Sequence, residues 1–209
     1  MRQYRDFYFK KAKEENFPAR SIYKLQEIDK RYHMLKQGWK VLDLGASPGS
    51  WSLEAAKKVG KSGVVVACDI QDLNITRPEN LFFYQNDIFN PGEEFTGSLQ
   101  KFAPFNLVMS DMAPSTTGSK FTDQARSLDL GMRAFDMAKS WLMDGGNFIV
   151  KIFMGPDVKE LLAPMRAFFE NVCSFKPKSS RPESKETFFI GLKYKNHNNM
   201  NNVKTDLEG

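Results

Sequence analysis

The chain has 209 residues, 41% of them hydrophobic, and a formal net charge of +5. That is enough for one full α/β domain with a sizeable core, and it excludes global disorder. No apolar run approaches the roughly 20 residues that span a bilayer, and MRQYRDFYFKKAK lacks the apolar segment of a signal peptide, so a cytoplasmic protein without membrane contact is expected.

The N-terminal 17 residues are polar, basic and aromatic without a firm period, and read either as an ordered arm or as a frayed end. From Pro18 a helix is predicted through Leu35, with Ile22, Leu25, Ile28, Tyr32 and Leu35 on one stripe and Lys24 at its border. Val41–Leu44 reads as a first strand, ending in a Gly-Ala-Ser-Pro-Gly turn, and a helix follows from Ser50 to Val59. Gly63–Ile70 is a second strand, apolar almost throughout as a strand buried on both faces should be. Leu81–Tyr84 is a third, followed by an irregular stretch around Pro91, Gly92 and Gly97, and Phe105–Met109 is a fourth.

Thr116–Lys120 is expected to be a mobile lid, and Thr122 or Asp123 to cap a helix reaching Met143, with Leu128, Met132, Phe135, Met137 and Leu142 in the core. Asn147–Phe153 is a fifth strand, Pro156–Phe169 a helix, Val172–Phe175 a sixth strand, and Thr187–Tyr194 a seventh beyond the basic loop Lys176–Lys185. That loop holds no crossover helix, so the seventh strand should run antiparallel to the sixth. Strands alternating with helices give an α/β fold: a seven-stranded, mostly parallel sheet with the last strand antiparallel and helices on both faces. The asparagine-rich tail, residues 196–209, buries almost nothing and is expected to be disordered. Cys68 and Cys173 form no disulfide framework and no metal-binding spacing, and both read as small buried residues.

Charge is unevenly spread. Residues 1–40 carry eleven Lys and Arg against five Asp and Glu, residues 41–175 carry twelve against sixteen, and residues 176–195 carry six against two. Basic flanks around an acidic middle suit a polyanion, since Lys and Arg on phosphates supply most sequence-independent nucleic-acid affinity. The alternative is that charge merely covers the ends of the domain. Aromatics interleaved with base at Tyr4, Phe7, Tyr8 and Phe9 favour RNA, whose bases stack on such rings.

The strand–loop–helix unit VLDLGASPGSW is built to hold a small ligand at a strand end. It lacks G-x-G-x-x-G and lacks the Lys-Ser/Thr of a nucleotide triphosphatase. Gly45 and Gly49 lie four apart, Pro48 stands where the helix begins, and Asp43 is acidic within the strand. A carboxylate there suits a cationic, phosphate-free ligand, a description S-adenosylmethionine fits; the loop alone also allows an ordinary βα turn. Asp69 at the second strand's end is placed for ribose hydroxyls. Asp87 and Asp111 follow the third and fourth strands.

Lys24, Asp111, Lys151 and Glu186 form a possible reaction centre. A lysine within an apolar strand needs a reason, because burying an unpaired ammonium is costly. Pairing with Asp111 is one; the other is that burial and a second cation, Lys24, favour a neutral Lys151 amine able to take a proton from a hydroxyl.

From about Asp6 to Tyr194 the chain resembles the FtsJ-type ribose 2′-O-methyltransferases, through DFYFKKAKEENFPARSIYKLQEID, LDLGASPGSWS, SDMAPSTTG, FIVKIFMG and FKPKSSRPESKETFFI. The resemblance implies a Rossmann-like S-adenosylmethionine-dependent methyltransferase domain over residues 1–195 and a catalytic tetrad at Lys24, Asp111, Lys151 and Glu186, with Lys151 the proton acceptor. It implies cofactor contacts at Gly49, Trp51, Asp69, Asp87 and Asp111, and Asp43, Gly45, Ser47, Pro48 and Ile88, in the same loop and beside the same carboxylates, are further cofactor-binding candidates. The substrate it implies is a uridine of 23S ribosomal RNA in the large ribosomal subunit; a monomer is the plain expectation for the chain. Ser47 and Ser50 stand where the family often has other small residues or a second glycine, and Glu183 lies three residues before Glu186. Two rivals are a messenger-cap 2′-O-methyltransferase, for which the chain leaves little room, and a non-catalytic RNA-binding assembly factor, which would be expected to break the tetrad.

Overall fold

Seven apolar runs pair into one sheet in the computed structural model, which describes residues 2–73, 75–180 and 184–195, with the backbone alone for 2–6. The strands are β1 (Lys40–Leu44), β2 (Val64–Asp69), β3 (Leu81–Gln85), β4 (Phe105–Ser110), β5 (Leu142–Phe153), β6 (Phe169–Phe175) and β7 (Glu186–Tyr194). Their spatial order is β3-β2-β1-β4-β5-β7-β6, and β7 runs antiparallel to both of its neighbours while the β1–β5 pairings are parallel. The antiparallel placement follows from the short β6–β7 loop. The tail from Asn196, and Glu183, lie outside the described residues.

The α-helices among the described residues are α1 (Arg2–Glu14), α2 (Ile22–Tyr32), α3 (Ser50–Val59), α4 (Glu93–Phe102), α5 (Lys120–Trp141) and α6 (Lys159–Phe168). Leu25 and Ile28 of α2 and Ala55 and Val59 of α3 pack with Val41, Val65, Leu107, Met109, Ile149 and Ile190 on one face of the sheet. Phe95 and Leu99 of α4, Phe135 of α5 and Leu161 and Met165 of α6 pack with Leu42, Val66, Val108, Phe148 and Val150 on the other. The period of two along a strand separates the layers: Ile149 faces α2 and α3, and Phe148 and Val150 face α5. Lys151 therefore falls on the α2 side.

Several elements differ from the sequence expectation. The N-terminal stretch is a helix, α1, docked through Ala12 against Ile22 and Tyr23, with the Tyr23 hydroxyl donating to Glu15 Oε2 at 3.0 Å. Its apolar stripe is too thin to show a period. The next helix starts at Ile22 rather than Pro18, and His33 ends it in the left-handed region (φ 54°) before Leu35 is reached. The stretch read as irregular contains α4: Gly92 is its N-cap, Glu93 and Glu94 complement the positive end of its dipole, and Phe95 and Leu99 bury one face while Gly97 points into open space.

Ser119, not Thr122 or Asp123, caps α5, accepting from the Thr122 N–H. Asp123 instead accepts from the N–H and hydroxyl of Thr117 at 2.8 and 2.9 Å, tying down the loop expected to be a lid. Helix α5 ends at Trp141 and α6 at Phe168, and both run directly into strands, so β5 and β6 begin earlier than expected, at Leu142 and Phe169. A 3-10 turn, Pro156–Val158, precedes α6. Cys68 is buried, whereas Cys173 on the edge strand β6 is only half-buried, and Met132 is likewise half-buried. Among the described residues no helix is long and apolar enough to cross a membrane.

Candidate active site

The loop after β1 is shaped by backbone that only glycine tolerates. Gly45 has φ +81°, and a Cβ on it would run into the Met112 side chain. Its N–H and that of Ala46 both donate to the Cys68 carbonyl, at 2.9 and 3.1 Å. The Ser47 N–H donates to Asp69 Oδ2 at 2.9 Å, so the carboxylate ending β2 holds the loop that follows β1. Gly49, at φ +108°, turns the chain into α3.

Beside this loop, at the carboxyl ends of β1, β2 and β4, lies a cleft of about 560 Å³, within the range of sites for small molecules. Gly45, Ser47, Pro48, Asp69, Asp87, Ile88, Asp111 and Lys151 line it. Asp87 is positioned from both sides: its Oδ1 accepts from the Phe89 N–H at 2.9 Å, and Arg133 of α5 donates from Nε to the neighbouring Ile88 carbonyl at 2.7 Å. Among the described residues three carboxylates face the cleft, and the one cation that lines it, Lys151, is already ion-paired. The donor set suits a ligand that carries positive charge and hydroxyls, and opposes a pyrophosphate. Cys68 also lines the cleft, but burial pushes its thiol up, so it is held in the protonated form.

Asp43, Gly49 and Trp51, expected at the ligand, do not line the cleft. Asp43 is fully buried beneath α3, where the Ser52 hydroxyl donates to its Oδ2 at 2.5 Å; its Oδ1 makes no hydrogen bond among the described residues. Burial raises its pKa to about 7 against the pull of Ser52, with the Asp111 and Asp69 charges adding to the rise. Trp51 points its indole at α2: Nε1 donates to the Ser21 carbonyl at 2.9 Å and the ring stacks on Phe188 at 5.7 Å. Ser50 does a similar job, accepting from the Ala19 N–H at 2.8 Å and donating to the Ala19 carbonyl at 3.2 Å. The helix that follows the glycine loop thus fixes the start of α2, and with it Lys24.

The four charged residues form two adjacent ion pairs. Lys151 Nζ is 2.8 Å from Asp111 Oδ1 and also donates to the Asp111 carbonyl. Lys24 Nζ is 2.6 Å from Glu186 Oε1. Strand register brings the pairs together: Lys151 lies opposite Phe188 and Phe153 opposite Glu186, so all four share the α2 face. All four side chains are largely withdrawn from solvent. Burial would raise the Glu186 pKa, but the charge and hydrogen bond of Lys24, with smaller help from Lys151 and Ser180, hold the carboxyl below its usual value. Lys24 is therefore compensated by its own partner rather than left as a bare cation beside Lys151. A buried amine ordered by a carboxylate, at the edge of a ligand cleft, is an arrangement for moving a proton.

The structure adds cleft residues that the motifs did not single out. Asn86, Phe89, Met112 and Ser115 line it from loops, and Ser21 and Leu130 from the lead into α2 and from α5. Phe89 and Ile70, large apolar side chains 55% and 66% exposed, were the available signal.

Comparison with known proteins bears on this geometry. The profile of the FtsJ-like methyltransferase family matches residues 17–194. The ribosomal RNA large subunit methyltransferase E of Nitratidesulfovibrio vulgaris (strain DSM 19637 / Miyazaki F) is 60% identical over 195 residues, 93% of this chain and 97% of its own. The same-named protein of Lawsonia intracellularis is 58% identical over 93% of this chain and 98% of its own. Among solved structures, a Plasmodium falciparum protein assigned as a ribosomal RNA methyltransferase superposes with a TM-score of 0.73 at 25% identity, covering 85% of this chain and 98% of that one.

Proposed function

The chain belongs to the FtsJ-like methyltransferase family, and from that premise we propose that it transfers a methyl group from S-adenosylmethionine to a ribose 2′-hydroxyl of large-subunit ribosomal RNA. The observation that carries the reading is the pair of ion pairs, Lys151–Asp111 and Lys24–Glu186, on one face beside the acidic cleft. The similarity to proteins named ribosomal RNA large subunit methyltransferase E supports the substrate, and a uridine of 23S ribosomal RNA in the assembled subunit is the target we infer. Such work belongs to the cytoplasm.

The residues fit the methyl donor. Gly45, Ser47 and Pro48 would let the backbone approach it, Asp69 and Asp87 would accept from its ribose hydroxyls and its exocyclic adenine amine, and Asp111 would pair with its ammonium group. When bound, S-adenosylmethionine supplies a methyl group activated by a sulfonium. Lys151, once its ammonium has released a proton to solvent, accepts the 2′-hydroxyl proton on its Nζ. Asp111 orients Lys151, and Lys24 with Glu186 hold the ribose. General-base help contributes about 10²–10⁴ in rate, while holding the reactants in line contributes about 7–11 kcal/mol. Both need rigid side chains, which the paired, buried geometry provides.

The test is incubation with methyl-labelled S-adenosylmethionine and, separately, unmodified large ribosomal subunits, free ribosomal RNA and capped messenger RNA, followed by nucleoside mapping. Label on a ribose of large-subunit RNA is expected. Label on a base, on the cap alone, or on no RNA rejects the proposal.

A further inference from the structure

A second depression lies on the same rim. Between the start of α5 and the segment entering β7 is a groove of about 270 Å³, lined among others by Lys120, Asp123, Gln124, Phe153, Ser184 and Lys185. It adjoins the reaction centre through the chain itself. Phe153 pairs with Glu186 and lies two residues beyond Lys151, while Ser184 comes two residues before Glu186.

Its chemistry is that of a nucleotide site. Lys120 and Lys185 are both exposed, and they outnumber the groove's carboxylate. That carboxylate, Asp123, is occupied: the Thr117 N–H, the leading cause, together with the Thr117 hydroxyl holds it below the usual carboxylate range. Asp123 thereby sets the turn that presents Lys120. Beside Lys120, Phe121 is 70% exposed and lines a smaller hollow that shares Gln124 and Phe153 with the groove. An exposed ring next to two cations serves a nucleobase and a phosphate, whereas a protein partner's interface core would be depleted of charge.

An RNA strand that presents one ribose to Lys151 must also leave the centre. Resting on the function proposed above, we propose that this groove is the subsite for the nucleotide flanking the methylated ribose in single-stranded RNA. Lys120 and Lys185 take its phosphate, and Phe121 offers its ring face to the unstacked base.

The test is steady-state methylation of unmodified large ribosomal subunits over a range of salt, with S-adenosylmethionine affinity and thermal unfolding measured on each variant. Phe121→Ala should raise KM for the subunit about 5- to 150-fold, the range expected for losing one stacked base, with kcat within about two-fold. Phe121→Trp should keep the wild-type KM. The double variant Lys120→Ala/Lys185→Ala should raise KM and reduce the slope of log(1/KM) against log[salt] by about 1. Lys61→Ala, at the α3–β2 turn, should change neither. Unchanged KM and salt slope in the groove variants, with active wild-type enzyme, overturns the subsite alone. Wild-type enzyme that labels no ribosomal RNA overturns the function and the subsite together.

Discussion

Lys24 Nζ, on α2, lies 2.6 Å from Glu186 Oε1, at the first residue of β7, with 11% and 12% of the two side chains exposed. The contact joins the two ends of the chain across the rim. Lys24 Nζ also lies 5.8 Å from the centre of the Phe188 ring, so neither charge is surrounded by water. Truncating one partner strands the other: Lys24→Ala should cost up to about 3–5 kcal/mol, measured by urea unfolding, and should lower turnover as well.

The same pair predicts an acid-side loss of stability. Glu186 titrates below its usual value in the folded protein, so its contribution is present above the unfolded pKa of about 4.3 and is lost as pH falls through the lower folded value. Wild-type urea midpoints should therefore drop from about pH 5 downward, and Glu186→Gln should show a shallower drop. Equal acid slopes in the two proteins would mean that the pair does not stabilise the fold.

Lys151 separates chemistry from binding. Lys151→Ala should lower kcat by about 10²–10⁴ with S-adenosylmethionine affinity nearly intact. Lys151→Arg should not rescue it, because a guanidinium stays protonated. Single-turnover rates and calorimetric titration check the two halves, and near-normal activity of Lys151→Ala rejects the assignment.

Asp43 behaves in the opposite sense to Glu186. Its folded pKa is raised to about 7, so the stability tied to its neutral form is full below about 3.9 and is lost as pH rises through 7. Asp43→Asn keeps an acceptor for Ser52 without the cost of ionisation. It should exceed wild type by roughly 2–4 kcal/mol at pH 8, with the advantage shrinking at pH 5. A difference independent of pH contradicts this account.

Glu27 on α2 accepts from the Lys178 and Ser179 N–H groups, at 2.7 and 2.9 Å, and so pins the basic loop between β6 and β7. Charge-assisted bonds of this kind contribute about 1.5–3 kcal/mol each. Glu27→Ala should make Lys178, which precedes Ser179, an early site of trypsin cleavage, read by mass spectrometry of a limited digest. Unchanged cleavage order would show that the loop is held by other contacts.

Strands buried on both faces were legible because they are continuous apolar runs, and the residues at their carboxyl ends became rim residues by geometry alone. Asp69, Asp87, Asp111 and Lys151 reached the cleft for that reason. Helix α4 was not legible: Gly92 and Gly97 read as breakers, although one caps the helix and the other faces open space. Residues inside a motif were harder to divide. Asp43 faces α3, and Trp51 braces α2 with its indole, yet both stand in the same eleven residues as Gly45 and Pro48. Spacing tells which segment meets a ligand; only packing tells which side chains turn away from it.

Strand β7 is the last strand among the described residues, yet it lies between β5 and β6 and carries Glu186 at its first residue. During synthesis, β5 and β6 leave the ribosome with no shared edge, and Lys24 has no carboxylate. Closure of the sheet and completion of the charged centre are then one late event.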